Sequence, residues 1–164
     1  MNAIAAMDLN GVIGDQGKIP WKLKDDLRFF KEMTSNPVSG GHVIMGNSTY
    51  KQVGDLPNRF IYILTRDELL LNTPETDKHK YITLDYIDDK NIPLNQTWVA
   101  GGAKVYEQLL KQCKNLYLTI VLNEYEGDTF FPLFNDLFPE SDLIIQTNKY
   151  WIVQYRSNSL FNND

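Results

Sequence analysis

The spacing of apolar residues divides the chain into alternating strands and helices. Short apolar runs bounded by turn residues predict buried strands over 3–7, 42–46, 60–65, 97–100 and 115–122. Apolar positions three and four apart predict helices over 24–33, 48–53 and 101–113. Between the first strand and first helix, 8–22 reads as a long loop punctuated by Gly11, Gly14, Gly17 and Pro20. The stretch "SNPVSGG" at 35–41 reads as a turn. Residues 66–96 are polar and carry one clear strand signal, at 80–84. Two alternating segments in 142–156 read as a hairpin. Strands alternate with helices until the last third, where strand follows strand. That order predicts an α/β fold: a mixed, mostly parallel central sheet flanked by helices, with an antiparallel C-terminal hairpin. No repeat or second domain is visible, so 1–164 is read as one domain, with 157–164 a frayed polar tail.

The first helix contains an anomaly. In "GKIPWKLKDDLRFFKEM" the apolar face holds Leu23, Phe29, Phe30 and Met33, with Leu27 at its border. Lys24, Asp25, Arg28 and Glu32 form the opposite, solvent face. Asp26 falls on the apolar face, with no cation at helical spacing beside it. A buried carboxylate is costly unless hydrogen-bonded or paired, and burial raises its pKa. Such groups cluster at functional sites. The alternatives are an acid that complements the positive end of the helix, or a rim residue turned to water.

Bulk composition removes whole classes of function. The chain has 164 residues, 43% hydrophobic and 23% charged, with a net charge of −5. This is an ordinary globular balance with no basic block, which argues against nucleic acid or a membrane surface as partner. The single cysteine, Cys113, allows no internal disulfide and fits a reducing cytoplasm. His42 and His79 are isolated, so no metal site is expected; His42 reads as a strand-start residue and His79 as a loop residue. No leader pattern or membrane span is legible.

A second constellation is "WVAGGAKVYEQLL": strand, two glycines, helix. Glycines let backbone approach a phosphate closely, and the free N–H groups of a helix start point toward it. Lys104 adds a positive charge in the first turn, where the dipole disfavours it without an anion. The third glycine of the usual dinucleotide fingerprint is missing. Tight packing alone also explains such a turn. Val105, Leu109, Leu110 and Cys113 make a core stripe, and Cys113 reads as a packed small hydrophobe. One buried acid and one pyrophosphate cradle are the parts that acid-assisted hydride transfer from a nicotinamide needs.

At these residues the chain resembles a known family, dihydrofolate reductase. "IAAMDLNGVIG", "KIPWKLKDDLRFFK", "VIMGNSTY", "LPNRFIYILTR", "VAGGAKVYEQ", "LYLT" and "EGDTFFP" occur in that family's order and near its spacings. The resemblance implies NADPH-dependent reduction of 7,8-dihydrofolate to tetrahydrofolate. It makes Asp26 the active-site acid, which holds the pterin through N3 and the 2-amino group and favours protonation at N5. Thr119 would bond this acid, and Trp21 would order the nearby water. Substrate contacts would come from Ile4, Ala6, Leu27, Phe30, Lys31, Val53 and Ala100. Arg59 would bind the α-carboxylate of the glutamate tail, where a bidentate fork suits the geometry. Cofactor contacts would come from Ala6, Ile13, Gly14, Gly46, Asn47, Ser48, Thr49, Leu64, Thr65 and Arg66. Gly101, Gly102, Ala103, Lys104, Val105 and Tyr106 would complete that set. The loop 9–23 would be a mobile lid, steadied by Asp128. The resemblance further implies antifolate-type small molecules as ligands, a monomer and a cytoplasmic setting.

Three departures stand out from that family's pattern. Asn47-Ser48 replaces the basic residue that usually follows "VIMG", leaving Arg66 and Lys104 to set the preference for NADPH over NADH. Ala100 replaces a larger aliphatic. "SNPVSGGHV" is a few residues longer than in compact bacterial forms. Two competing readings remain. One is the pyrimidine reductase of riboflavin synthesis, which does not require the Trp21-to-Asp26 spacing or Arg59 after "LPN". The other is a non-catalytic nucleotide-binding relative. The aromatic residues Tyr150, Trp151 and Tyr155 read as core and hairpin packing. "FFPLFNDLF" reads as a loop packed on the sheet.

Overall fold

The computed structural model describes residues 1–158. Of the tail expected to fray, 159–164 lie outside the described residues, while the Ser157 amide donates to Lys114 O at 2.9 Å. Strands are β1 (Asn2–Asp8), β2 (Val12–Gly14), β3 (His42–Gly46), β4 (Phe60–Leu64), β5 (His79–Ile82), β6 (Thr97–Val99), β7 (Asn115–Val121), β8 (Thr129–Phe130), β9 (Glu140–Gln146) and β10 (Tyr150–Arg156). Helices are α1 (Lys24–Thr34), α2 (Asn47–Val53), α3 (Glu68–Leu71), α4 (Leu84–Asp88) and α5 (Ala103–Leu109), the last continued by a 3-10 turn over Leu110–Gln112.

Eight strands form one sheet in the order β5-β4-β3-β6-β1-β7-β10-β9. The pairs from β5 to β7 are parallel, and β10 runs against both its neighbours. The expected mixed sheet with an antiparallel C-terminal hairpin is therefore present. Parallel strands are buried on both faces, and β3 shows the period of two. Ile44 joins the larger core with Val99, Val105, Leu109 and Leu116. Val43 and Met45 join a smaller cluster with Ile61 and Ile63, and Ala100 packs against it. Cys113 lies in the larger core, its thiol pushed up to about 12 by burial.

Several expectations need correcting. The loop 8–22 contains β2, which pairs with β8, a strand the pattern did not reveal. Strands of two and three residues are too short to show a period. The stretch 66–96 also holds α3, α4 and a 3-10 turn over Leu94–Gln96. These are single turns, below the length at which helical periodicity shows. The strand there is His79–Ile82, and Leu84 begins α4. His79 is thus a strand residue, with Nδ1 2.9 Å from Asp55 Oδ1 and 3.1 Å from the Tyr50 hydroxyl. The helix expected from Gly101 starts at Ala103. Trp151 faces partly outward, while Tyr150 is buried. In "FFPLFNDLF", Phe131 and Phe138 are buried and Leu133 is exposed.

The turn after α1 is built by side chain and glycine together. Asn36 Oδ1 accepts from the amides of Val38 and Ser39. The Gly41 amide donates to Thr34 O at 2.7 Å, and a Cβ on Gly40 would stand 2.5 Å from that same oxygen. Among the described residues, no helix is long and apolar enough to cross a membrane. Among them, too, no group of three or more His, Cys, Asp or Glu stands together as a metal site.

Candidate active site

Helix α1 lies across the face of β7. The Phe29 ring is 6.3 Å from that of Tyr117. Two residues further on the strand, and so on the same face, Thr119 donates its hydroxyl to Asp26 Oδ1 at 2.6 Å. Among the described residues, Asp26 has no cationic partner and its second oxygen receives no donor. Burial pushes its carboxyl above the ordinary value, against the pull of the Thr119 hydrogen bond. Trp21, just ahead of the helix, is buried and packs on Tyr125 with ring centroids 5.5 Å apart.

The apolar stripe around Asp26 is not sealed. Phe30 is half-buried, Leu27 is 64% exposed and Val53 on α2 is 46% exposed. Lys31 is exposed in the last turn of α1. The floor is formed by the sheet. Ala6 stands in register with Thr119, and Ala100 is half-buried, its amide bonded to Ile44 O at 2.9 Å. Ile4 is buried, and its carbonyl accepts the Tyr106 hydroxyl at 2.7 Å. Burial pushes that phenol upward, with the nearby Asp26 charge adding to the effect.

Arg59 is 8% exposed, which is unusual for its type. Its Nη1 donates to Thr34 Oγ1 at 3.0 Å and its Nε to Pro57 O at 3.0 Å. The guanidinium carbon stands 5.8 Å from the centroid of the Phe30 ring. Burial lowers its pKa, and among the described residues no carboxylate pairs with it. A buried fork with donors to spare has the geometry that suits a planar anion.

A third group gathers at the carboxyl ends of β3, β4 and β6, where ligands bind in open α/β sheets. Gly46 closes β3, and its amide donates to Gly101 O at 2.8 Å. The Gly101–Gly102 peptide is cis. A Cβ at Gly46 would lie 3.1 Å from Val105 Cγ2, and one at Gly102 3.4 Å from Thr49 Oγ1. Gly101 has φ +106°, open to glycine, and a Cβ there would press on the Tyr106 ring at 3.3 Å. Gly46 and Gly102 precede α2 and α5, and neither helix has a side-chain cap. Asn47 and Thr49 are half-buried, Ser48 exposed. Leu64 and Thr65 are half-buried, and Ala103 stands at the start of α5. Arg66 and Lys104 are exposed cations beside this cradle in sequence.

The 9–23 loop is tied to the segment after β7. Gln16 N–H donates to Asp128 Oδ2 at 3.1 Å, and the Asp128 amide to Gly14 O at 3.1 Å. The Asp128 carboxyl lies below its ordinary value, held by the Thr129 hydroxyl and the Gln16 amide. Ile13 and Gly14 are half-buried. A Cβ on Gly127 would overlap the Val12 side chain. Sequence reasoning missed Asp8, which is buried and accepts three backbone N–H groups. An acid closing an apolar strand just before Asn-Gly was the available signal.

An open, mostly parallel α/β sheet with a half-open, acid-bearing apolar helix face and a glycine turn at its strand ends has the form of a nucleotide-dependent class of protein. A family model described as dihydrofolate reductase matches residues 1–147. The dihydrofolate reductase of Enterococcus faecium is 33% identical over 157 residues, covering 88% of each chain. That of Bacillus subtilis (strain 168) is 34% identical over 138 residues, covering 81% of this chain and 76% of its own. A solved dihydrofolate reductase from Enterococcus faecalis, complexed with NADP(H) and RAB-propyl, superposes with a TM-score of 0.75. It is 30% identical and covers 96% of this chain and 95% of its own. The chain belongs to the dihydrofolate reductase family, whose members are NADPH-dependent enzymes.

Proposed function

We propose that this protein reduces 7,8-dihydrofolate to 5,6,7,8-tetrahydrofolate with hydride from NADPH. The Asp26–Thr119 pair carries the reading. It places one desolvated carboxyl, with an oxygen to spare, on an apolar cleft wall. Asp26 holds the pterin edge and favours the proton at N5, because a carboxyl of raised pKa stands nearer to neutral working pH. Thr119 fixes its rotamer, and Trp21 orders the water beside it. Leu27, Phe30 and Val53 exchange water for the flat pterin and its aryl tail, over a floor of Ile4, Ala6 and Ala100. Lys31 stands near the outer end of α1. Arg59 takes the tail carboxylate.

The residues present fit NADPH. Gly46, Gly101 and Gly102 form a cradle in which added side chains would crowd Val105, Tyr106 and Thr49. Asn47, Ser48, Thr49, Ala103, Lys104, Val105 and Tyr106 line its helix starts. Leu64, Thr65 and Arg66 would hold the adenosine side, and Ala6, Ile13 and Gly14 the nicotinamide side. When bound, the cofactor supplies hydride to C6 of the pterin. We read the working form as a cytoplasmic monomer of one domain, open to antifolate-type ligands.

Steady-state oxidation of NADPH, with and without dihydrofolate and repeated with NADH, tests this. Dihydrofolate-dependent oxidation is the expected result. A folded protein that binds NADPH without oxidising it would instead favour a non-catalytic relative or a riboflavin-pathway substrate.

A further inference from the structure

We propose that Asp8 and Tyr125 form a positioning pair that fixes both ends of the 9–23 loop, and with them Trp21, for the reaction; this rests on the reductase reading above. Asp8 ends β1 with no exposed surface and, among the described residues, no cationic partner. Its charge is met by backbone dipoles instead. Oδ1 accepts from the amides of Asn10 at 2.8 Å and Val12 at 2.9 Å, and Oδ2 from that of Tyr125 at 2.8 Å. Such charge-assisted bonds are what make a buried carboxylate tolerable. The two oxygens therefore divide their work. One organises the root of the 9–23 loop, and the other reaches the segment between β7 and β8.

Tyr125 also meets the far end of the same loop. Its ring packs on Trp21 at 5.5 Å and 53°. One residue thus receives both ends, by its amide at the root and by its ring at the tip. The other ties are of a different kind. Leu9 N to Asn123 O and Phe131 N to Gly11 O are backbone pairs near the root. The Gln16 bond to Asp128 is exposed. The Asp8–Tyr125 pair joins the root to Trp21, and Trp21 leads directly into α1 and Asp26. A misplacement of about 1 Å costs up to about 10²-fold in rate. A pair that sets the indole therefore acts on turnover without touching substrate.

The test uses protein labelled with 5-fluorotryptophan, whose three tryptophans give three fluorine resonances. Trp21→Phe assigns the resonance of interest. Asp8→Asn keeps the shape but turns an amide N–H2 toward a backbone N–H, so one loop loses its acceptor. Tyr125→Leu leaves the amide and removes the ring. Each should shift the Trp21 resonance, leave those of Trp98 and Trp151 in place, and lower kcat by about tenfold. KM for dihydrofolate should stay near its original value, and Tyr125→Phe should behave as the unsubstituted protein. An unmoved Trp21 resonance in Tyr125→Leu would overturn the proposal. So would an undiminished kcat beside a displaced resonance. If the unsubstituted protein does not turn over dihydrofolate, the reductase reading fails, and the fluorine spectra alone decide the pairing.

Discussion

Helix α5 buries Val105, Tyr106 and Leu109 against the sheet, whereas α1, with bulkier apolar residues, fully buries only Thr34. Both helices are amphipathic. The face under α5 holds the larger core, and its apolar stripe is spent on folding. The stripe of α1 is left half open and has an acid in it. Apolar surface kept from burial is a standing cost at about 25 cal/mol per Å². A helix that retains it is shaped for something that arrives later. Substitutions on the two helices should therefore separate stability from activity.

The largest expected effect is at Asp26. Asp26→Asn should lower turnover at neutral pH by about 10² to 10⁴-fold, with NADPH binding retained by titration. Stability should move the other way. The folded carboxyl lies above its unfolded value, so its favourable contribution is complete below the ordinary carboxylate pKa and is lost as pH rises through the raised one. The amide should thus raise Tm at neutral pH, and the gain should vanish in acid. A variant that retained turnover would end the role assigned to Asp26.

Next comes a matched pair of leucines. Leu109→Ala, in the sealed core, should cost about 2–5 kcal/mol in denaturant unfolding. Leu27→Ala, largely exposed, should stay within about 0.5 kcal/mol yet raise KM for dihydrofolate. Equal costs would erase the distinction between the helices.

Arg59→Lys follows. Losing the fork should cost about 1.5–3 kcal/mol of substrate binding, read as KM. Binding of a pteroate without the glutamate tail should be unchanged, and an equal loss for both would move Arg59 away from the tail. The smallest effect is on the cofactor. Asn47→Lys adds a solvent-accessible charge beside the cradle, worth up to about 1 kcal/mol. It should sharpen the NADPH-over-NADH ratio by a few-fold, and an unchanged ratio would leave that preference to Arg66 and Lys104.

What the sequence revealed followed from length and period. Strands β3, β4 and β7 are apolar runs and were legible nearly to the residue, as was α1. The two-residue β8 and the single turns α3 and α4 are fixed by tertiary neighbours, so no local pattern announces them. At the site, Asp26 was legible because it breaks a helical stripe. Its bond to Thr119 was not, since 93 residues separate them and only the resemblance joined the two. Asp8 gave a weaker signal. An acid at a strand end before a turn breaks no period, and its remote partner, the Tyr125 amide, carries no residue-type signal.

Thr34 sits at the end of α1 and does two things at once: it donates to Phe30 O at 2.7 Å and accepts from Arg59 at 3.0 Å. The helix thereby has a fixed chemical mark at each end, the acid at 26 and the guanidinium docked at 34. Eight residues at 1.5 Å each put those marks about 12 Å apart along the axis. On the proposed function, α1 is a measuring rod. A ligand that grips both marks must have its hydrogen-bonding head and its carboxylate at the matching separation. A molecule with the right head and a shorter stem reaches one mark and forfeits the other, however well its rings pack.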